Sequence, residues 1–127
     1  MSSEQHADLS RAFIERQRQR LVALRNQLLG NEEDALARER GFQLEHGDEA
    51  EEEADHAQDM AQREVNQALH DADKRRLASI ERALQKIAEG SYGLSDLSGE
   101  PIPKNRLEAT PEAILTVQEE RRRETGG

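Results

Sequence analysis

Seven carboxylates, Asp48, Glu49, Glu51, Glu52, Glu53, Asp55 and Asp59, crowd into twelve residues that contain no lysine or arginine. They account for −7 of a net charge of −9. The plain role for such a run is a solvated surface. A self-repelling acidic cluster contributes little to an isolated fold, however, and suits contact with a cationic surface. The other reactive residues are scattered. His6, His46, His56 and His70 show none of the spacings that bind metal, such as two histidines flanking Glu at i and i+4. Lys74, Arg75 and Arg76 stand together in "DADKRRLAS" and read as an exposed helix face with ion pairs. There is no glycine-rich phosphate loop and no nucleophile paired with a base, which argues against an enzyme.

Composition narrows the choice further. The 127 residues are 35% charged and 34% hydrophobic, with two Phe, one Tyr and no Trp. A large compact core is not expected from so little aromatic material. Zero cysteines exclude disulfides, thiolate metal sites and thiol catalysis, and agree with a reducing cytoplasm. No apolar run approaches the ~18 residues of a membrane span, and the N-terminus lacks the apolar region of a signal peptide. The expected location is the cytoplasm, with no membrane contact. An acidic chain is a poor grip for phosphate backbones, so sequence-specific DNA binding is not expected and a protein partner is.

Helical periodicity must position these groups. From Leu9 to about Leu44 there is no proline, and Leu21, Leu24 and Leu28 recur at helical spacing, broadened by Phe13, Ile14, Val22 and Leu29. A second proline-free stretch, from about Glu49 to Glu89, carries Leu77, Ile80, Leu84 and Ile87 at spacings of a coiled-coil seam. "HGDEAE" between them is a turn signal, with Asp48 as an N-cap. Residues 1–90 therefore read as a helical region containing a long antiparallel coiled-coil hairpin, about 50 Å long from the helical rise, with its acidic tip at about 46–59. Gly90 is the expected C-cap. Residues 91–127 change character: Gly93, Gly99, Pro101 and Pro103 punctuate a compact loop region. Thr110 and Pro111 predict the start of a short last helix, "PEAILTVQEERRR", ending on Arg121 to Arg123.

The order of hairpin, acidic tip, "YGLSDLSGEPIP" and "RLEATPEA" resembles the DksA/TraR family of bacterial transcription regulators. Tyr92, Gly93, Gly99, Ile102, Arg106, Leu107, Ala109 and Pro111 match that family's C-terminal knuckle. Its four zinc-binding cysteine positions fall here on Ser95, Ser98, Thr116 and Glu119, so the resemblance is to a zinc-free member. The resemblance implies a mainly α fold with a small zinc-finger-like C-terminal segment lacking zinc. It also implies a non-enzymatic, monomeric regulator that binds RNA polymerase and inserts its tip into the secondary channel to modulate initiation.

The family's Asp-x-x-Asp-x-Ala tip signature falls on Glu52, Asp55 and Ala57, with Glu in place of the first Asp. Guanosine tetraphosphate often acts with the family, but Ala72, Ser79 and Glu120 stand where basic contacts are expected, which argues against dependence on it. Two other readings share the acidic arm: a Gre-like accessory for transcript cleavage, and an acidic coiled-coil stress or interaction protein with no polymerase contact. With zinc absent, an apolar cluster is expected to hold the knuckle. Tyr92, Leu94, Leu97, Ile102, Leu107, Ile114, Leu115 and Val117 would pack near Leu9, Phe13, Leu84 and Ile87, with Ser95 and Ser98 capping turns.

Overall fold

In a computed structural model, residues 9–46 and 53–126 are described, and their side chains over 9–41 and 58–126. Four helices follow in order: α1 (Arg11–His46), α2 (Glu53–Glu89), α3 (Lys104–Ala109) and α4 (Val117–Glu124). Among the described residues there is no strand, only an isolated antiparallel bridge between Leu94 and Pro101. The mainly α expectation holds.

Local chemistry explains the helix ends. Ser10 Oγ accepts from the Phe13 N–H at 3.0 Å, satisfying one of the free donors at the start of α1. At the end of α2 the Ser91 N–H reaches the Lys86 carbonyl at 2.8 Å and the Gly90 N–H reaches Ile87 at 3.2 Å. This paired closure requires the left-handed conformation that Gly90 adopts, with φ 83°.

The chain divides into two compact units. The knuckle unit comprises residues up to Arg25 together with Arg76 onward, and the stem unit comprises Asn26–Arg75. The knuckle unit owns most of the apolar interior: Phe13 and Leu21 from α1, Ile80 and Ala83 from α2, then Tyr92, Ile102, Leu107, Ala113 and Leu115. Leu84 and Ile87 are half-buried beside them. Two of the expected cluster members are elsewhere: Leu97 is 71% exposed and Val117 is exposed as well. Leu97 lies in a turn whose backbone bonds to Ser95, which holds the backbone in place and leaves the side chain outward.

The predicted last helix is corrected at its start. Pro111 and Glu112 form a turn, closed by the Ala113 N–H on the Thr110 carbonyl at 3.0 Å, and α4 begins only at Val117. The reason is that Ala113 and Leu115 are drawn into the interior, while Thr116 offers a stronger cap. Its side chain accepts from the Glu119 N–H while the Glu119 carboxylate accepts from the Thr116 N–H, a complete capping box. Arg121, Arg122 and Arg123 do occupy the last turn of α4, as expected from the helix dipole. Helix α3 was not anticipated from the sequence.

In the stem unit, Leu28 is buried, whereas Leu29, Leu36, Met60, Val65 and Leu69 are exposed. His70 Nδ1 lies 2.6 Å from Glu32 Oε2, linking α2 to α1 within that unit. No helix among the described residues is long and apolar enough to cross a membrane.

Candidate functional site

Ser95, Ser98, Thr116 and Glu119 meet in one network, although 24 residues separate the first from the last. The Glu119 carboxylate is its centre. Its Oε1 accepts from the Ser95 hydroxyl at 2.6 Å and from the Thr116 N–H at 2.8 Å. The Ser95 hydroxyl oxygen in turn accepts from the Leu97 and Ser98 N–H groups at 3.0 and 3.2 Å, and Ser98 Oγ accepts from the Glu100 N–H at 3.2 Å. Donation by Ser95, then by the Thr116 backbone, holds the Glu119 carboxyl down to about 2. Both serines therefore cap turns, and Ser95 also ties the first turn of the knuckle to α4.

This donor set does not suit zinc. Zinc is held by thiolate, imidazole or carboxylate, and here three of four positions are neutral hydroxyls, with the Ser95 proton already directed at Glu119. Among the described residues no group of three or more His, Cys, Asp or Glu is arranged to hold a metal.

Two further clusters fix the knuckle to the long helices. Gln17, 2% exposed, donates from Nε2 to the Leu107 carbonyl at 2.7 Å and to the Tyr92 hydroxyl at 3.1 Å, while its Oε1 accepts from Arg20 at 2.8 Å. The Tyr92 hydroxyl in turn donates to the Pro111 carbonyl at 2.9 Å, and burial raises its pKa to about 12. On the α2 side, Asp96 accepts two bonds from Arg82, at 2.8 and 3.0 Å, and one at 2.7 Å from Lys86 Nζ. These partners, Arg82 first, lower the Asp96 pKa. Lys86 is only 3% exposed.

Sequence reasoning missed Gln17, Lys86 and Asp96. The signal was present for the first: Gln17 falls midway between Phe13 and Leu21 on the buried stripe. An ion pair across the knuckle also joins Arg76 Nε to Glu112 Oε2 at 2.7 Å, which accounts for one member of the Lys74–Arg76 cluster.

The tip assignments lie elsewhere. Glu52 is outside the described residues; Asp55 and Ala57 lie within α2, with their side chains outside the described set. His6 also falls outside the described residues, as do the side chains of His46 and His56. Of the three positions considered for nucleotide contact, Ala72 is exposed, Ser79 is half-buried, and Glu120 pairs with Arg123 on α4.

Two long helices, two short ones and a small knuckle held by hydrogen bonds define a mainly helical protein. No protein-family model matches the chain. It is 29% identical over 122 residues, 96% of its length, to the RNA polymerase-binding transcription factor DksA of Caulobacter vibrioides, covering 83% of that protein. It is 40% identical over 65 residues to General stress protein 16O of Bacillus subtilis, a match spanning only 40% of that relative's length.

Solved structures agree. Transcription factor DksA2 from Pseudomonas aeruginosa superposes with a TM-score of 0.71 and 27% identity, covering 98% of this chain and 90% of that one. The RNA polymerase binding protein and transcriptional regulator Dks from Chlamydia trachomatis gives 0.59 and 26%, covering 93% and 94%. Over nearly its whole length the chain is therefore similar to DksA proteins, and it contains no cysteine.

Proposed function

We propose that this chain is a non-enzymatic regulator of transcription that binds RNA polymerase directly. The observation that carries the reading is the likeness over 96% of the chain to a relative named as an RNA polymerase-binding transcription factor. In this reading α1 and α2 form an antiparallel coiled-coil hairpin within residues 1–90, and residues 91–127 are a degenerate zinc-finger-like segment with its short C-terminal helix. The contact pattern supports opposed helices within the knuckle unit: Arg25 of α1 meets Glu81, while Gln17, two turns earlier in α1, meets Tyr92 beyond the end of α2.

The acidic tip, about residues 46–59, enters the secondary channel, where Glu52, Asp55 and Ala57 make the decisive contacts and shift polymerase between conformations. The protein acts as a cytoplasmic monomer without sequence-specific DNA binding, without zinc and without a requirement for guanosine tetraphosphate. The polar network around Glu119 supports the zinc-free part of the proposal, because it ties the same four positions together without a metal.

The test is transcription in vitro from a ribosomal RNA promoter, with wild type and Asp55→Asn, with and without guanosine tetraphosphate. Wild type is expected to change promoter output and Asp55→Asn to lose most of that effect while still co-purifying with core polymerase. Equal effects from the two proteins would defeat the tip assignment. Absence of any polymerase binding would defeat the function.

A further inference from the structure

Gly30 and Gly41 pose a question that packing does not answer. Both lie inside α1, and a Cβ built at either meets nothing within 4 Å. Neither has the positive φ that demands glycine; among the described residues, those that do are Gly90, Gly93, Gly99 and Gly126. No close approach and no backbone conformation calls for glycine at these two places. Their remaining physical effect is on helix stability, since glycine is the weakest helix former after proline.

Both fall in the stem unit, and among the described residues that unit shows little other stabilisation. Its buried hydrophobic residue among those described is Leu28, against nine in the knuckle unit, and its larger apolar side chains Leu29, Leu36, Met60, Val65 and Leu69 are exposed. The described polar link between α1 and α2 in this unit is His70 to Glu32, with both side chains partly exposed. An exposed pair of this kind adds little. The knuckle unit, by contrast, is fastened by Gln17, by the Asp96 cluster and by the Glu119 network.

We infer that the helical segments of the stem unit, residues 26–46 of α1 and 53–75 of α2, open and reclose while the knuckle unit stays folded, and that Gly30 and Gly41 set how readily they do so. Asp55 and Asp59 lie on the α2 part of this unit, so their presentation is coupled to its opening. The inference concerns the free chain and does not depend on which partner the tip meets.

Amide hydrogen exchange on the full-length free protein tests it. In wild type, amides within 26–41 and 58–75 are expected to exchange at least about tenfold faster, after correction for intrinsic rates, than those of residues 80–88. Replacing both glycines, Gly30→Ala with Gly41→Ala, is expected to slow exchange in the stem by about fivefold per substitution, from the glycine-to-alanine difference in helix propensity, and to leave residues 80–88 unchanged. Open space at both sites means the alanines fit without rearrangement. Stem exchange as slow as that of residues 80–88 in wild type would overturn the inference. So would an effect of the alanines that is absent, or that is equal in both units.

Discussion

Gln17→Leu is the most exposed test of how the knuckle is held. The side chain is buried and close to leucine in volume, though leucine is shorter and branched at Cγ, so the substitution removes hydrogen bonds while keeping most of the filled space. The Leu107 carbonyl loses a donor at 2.7 Å, and being backbone it cannot be replaced by an apolar group. Leaving a buried acceptor unpaired costs about 1–3 kcal/mol. The Tyr92 hydroxyl loses a 3.1 Å donor but keeps its bond to Pro111, so its share is smaller. The expected total is about 2 kcal/mol, a fall of roughly 10 °C in the melting temperature of a domain of this size.

Tyr92 is the single tyrosine in a chain without tryptophan, so its emission during urea unfolding reports the knuckle directly. A double-mutant cycle with Tyr92→Phe, followed by circular dichroism, should show coupling of about 0.5–1 kcal/mol. A Gln17→Leu protein as stable as wild type, or more so, would refute the claim that this carboxamide fastens α1 to the knuckle.

Asp96→Ala should destabilise the knuckle by about 2–3 kcal/mol, mainly by stranding the Lys86 ammonium, and Lys86→Met in the same background should recover much of that loss; urea midpoints check both. The Glu119 carboxyl titrates lower in the folded protein, at about 2, than its ordinary value of 4.5. Its stabilisation is therefore complete above about pH 4.5 and is lost as pH falls through about 2. Glu119→Gln should weaken the knuckle at pH 6 and flatten the pH dependence of the urea midpoint between pH 4.5 and 2. Chelator or mild peroxide should leave the melting temperature unchanged, since the chain has no thiol and Ser95, Ser98, Thr116 and Glu119 are held by hydrogen bonds; a fall of several degrees with chelator would contradict the unsuitability of this site for zinc.

The long helices were legible because their cause is local. Absence of proline, apolar spacing at 3 and 4, and Gly90 just past the end act within a few residues of one another. The C-terminal helix was misplaced for the opposite reason. Thr110 and Pro111 are a sound local start signal, but the burial of Ala113 and Leu115 and the capping box at Thr116 outweigh it, and burial is a property of the folded whole. Leu97 was misjudged likewise: hydrophobicity is written in the sequence, but the direction a turn points its side chain is not.

At the four positions matched to zinc ligands, the sequence by itself determined which chemistry was excluded, because zero cysteines rule out thiolate ligation whatever the fold. It also determined the helical class and the concentration of charge between the two long helices. The tertiary structure alone decided how these four positions are tied together. The bond from Ser95 to Glu119 joins residues 24 apart, and Gln17 reaches Leu107 across 90 residues of chain. Partners so far apart come within hydrogen-bonding distance only after the helices have packed, which is why no reading of neighbouring residues could supply them.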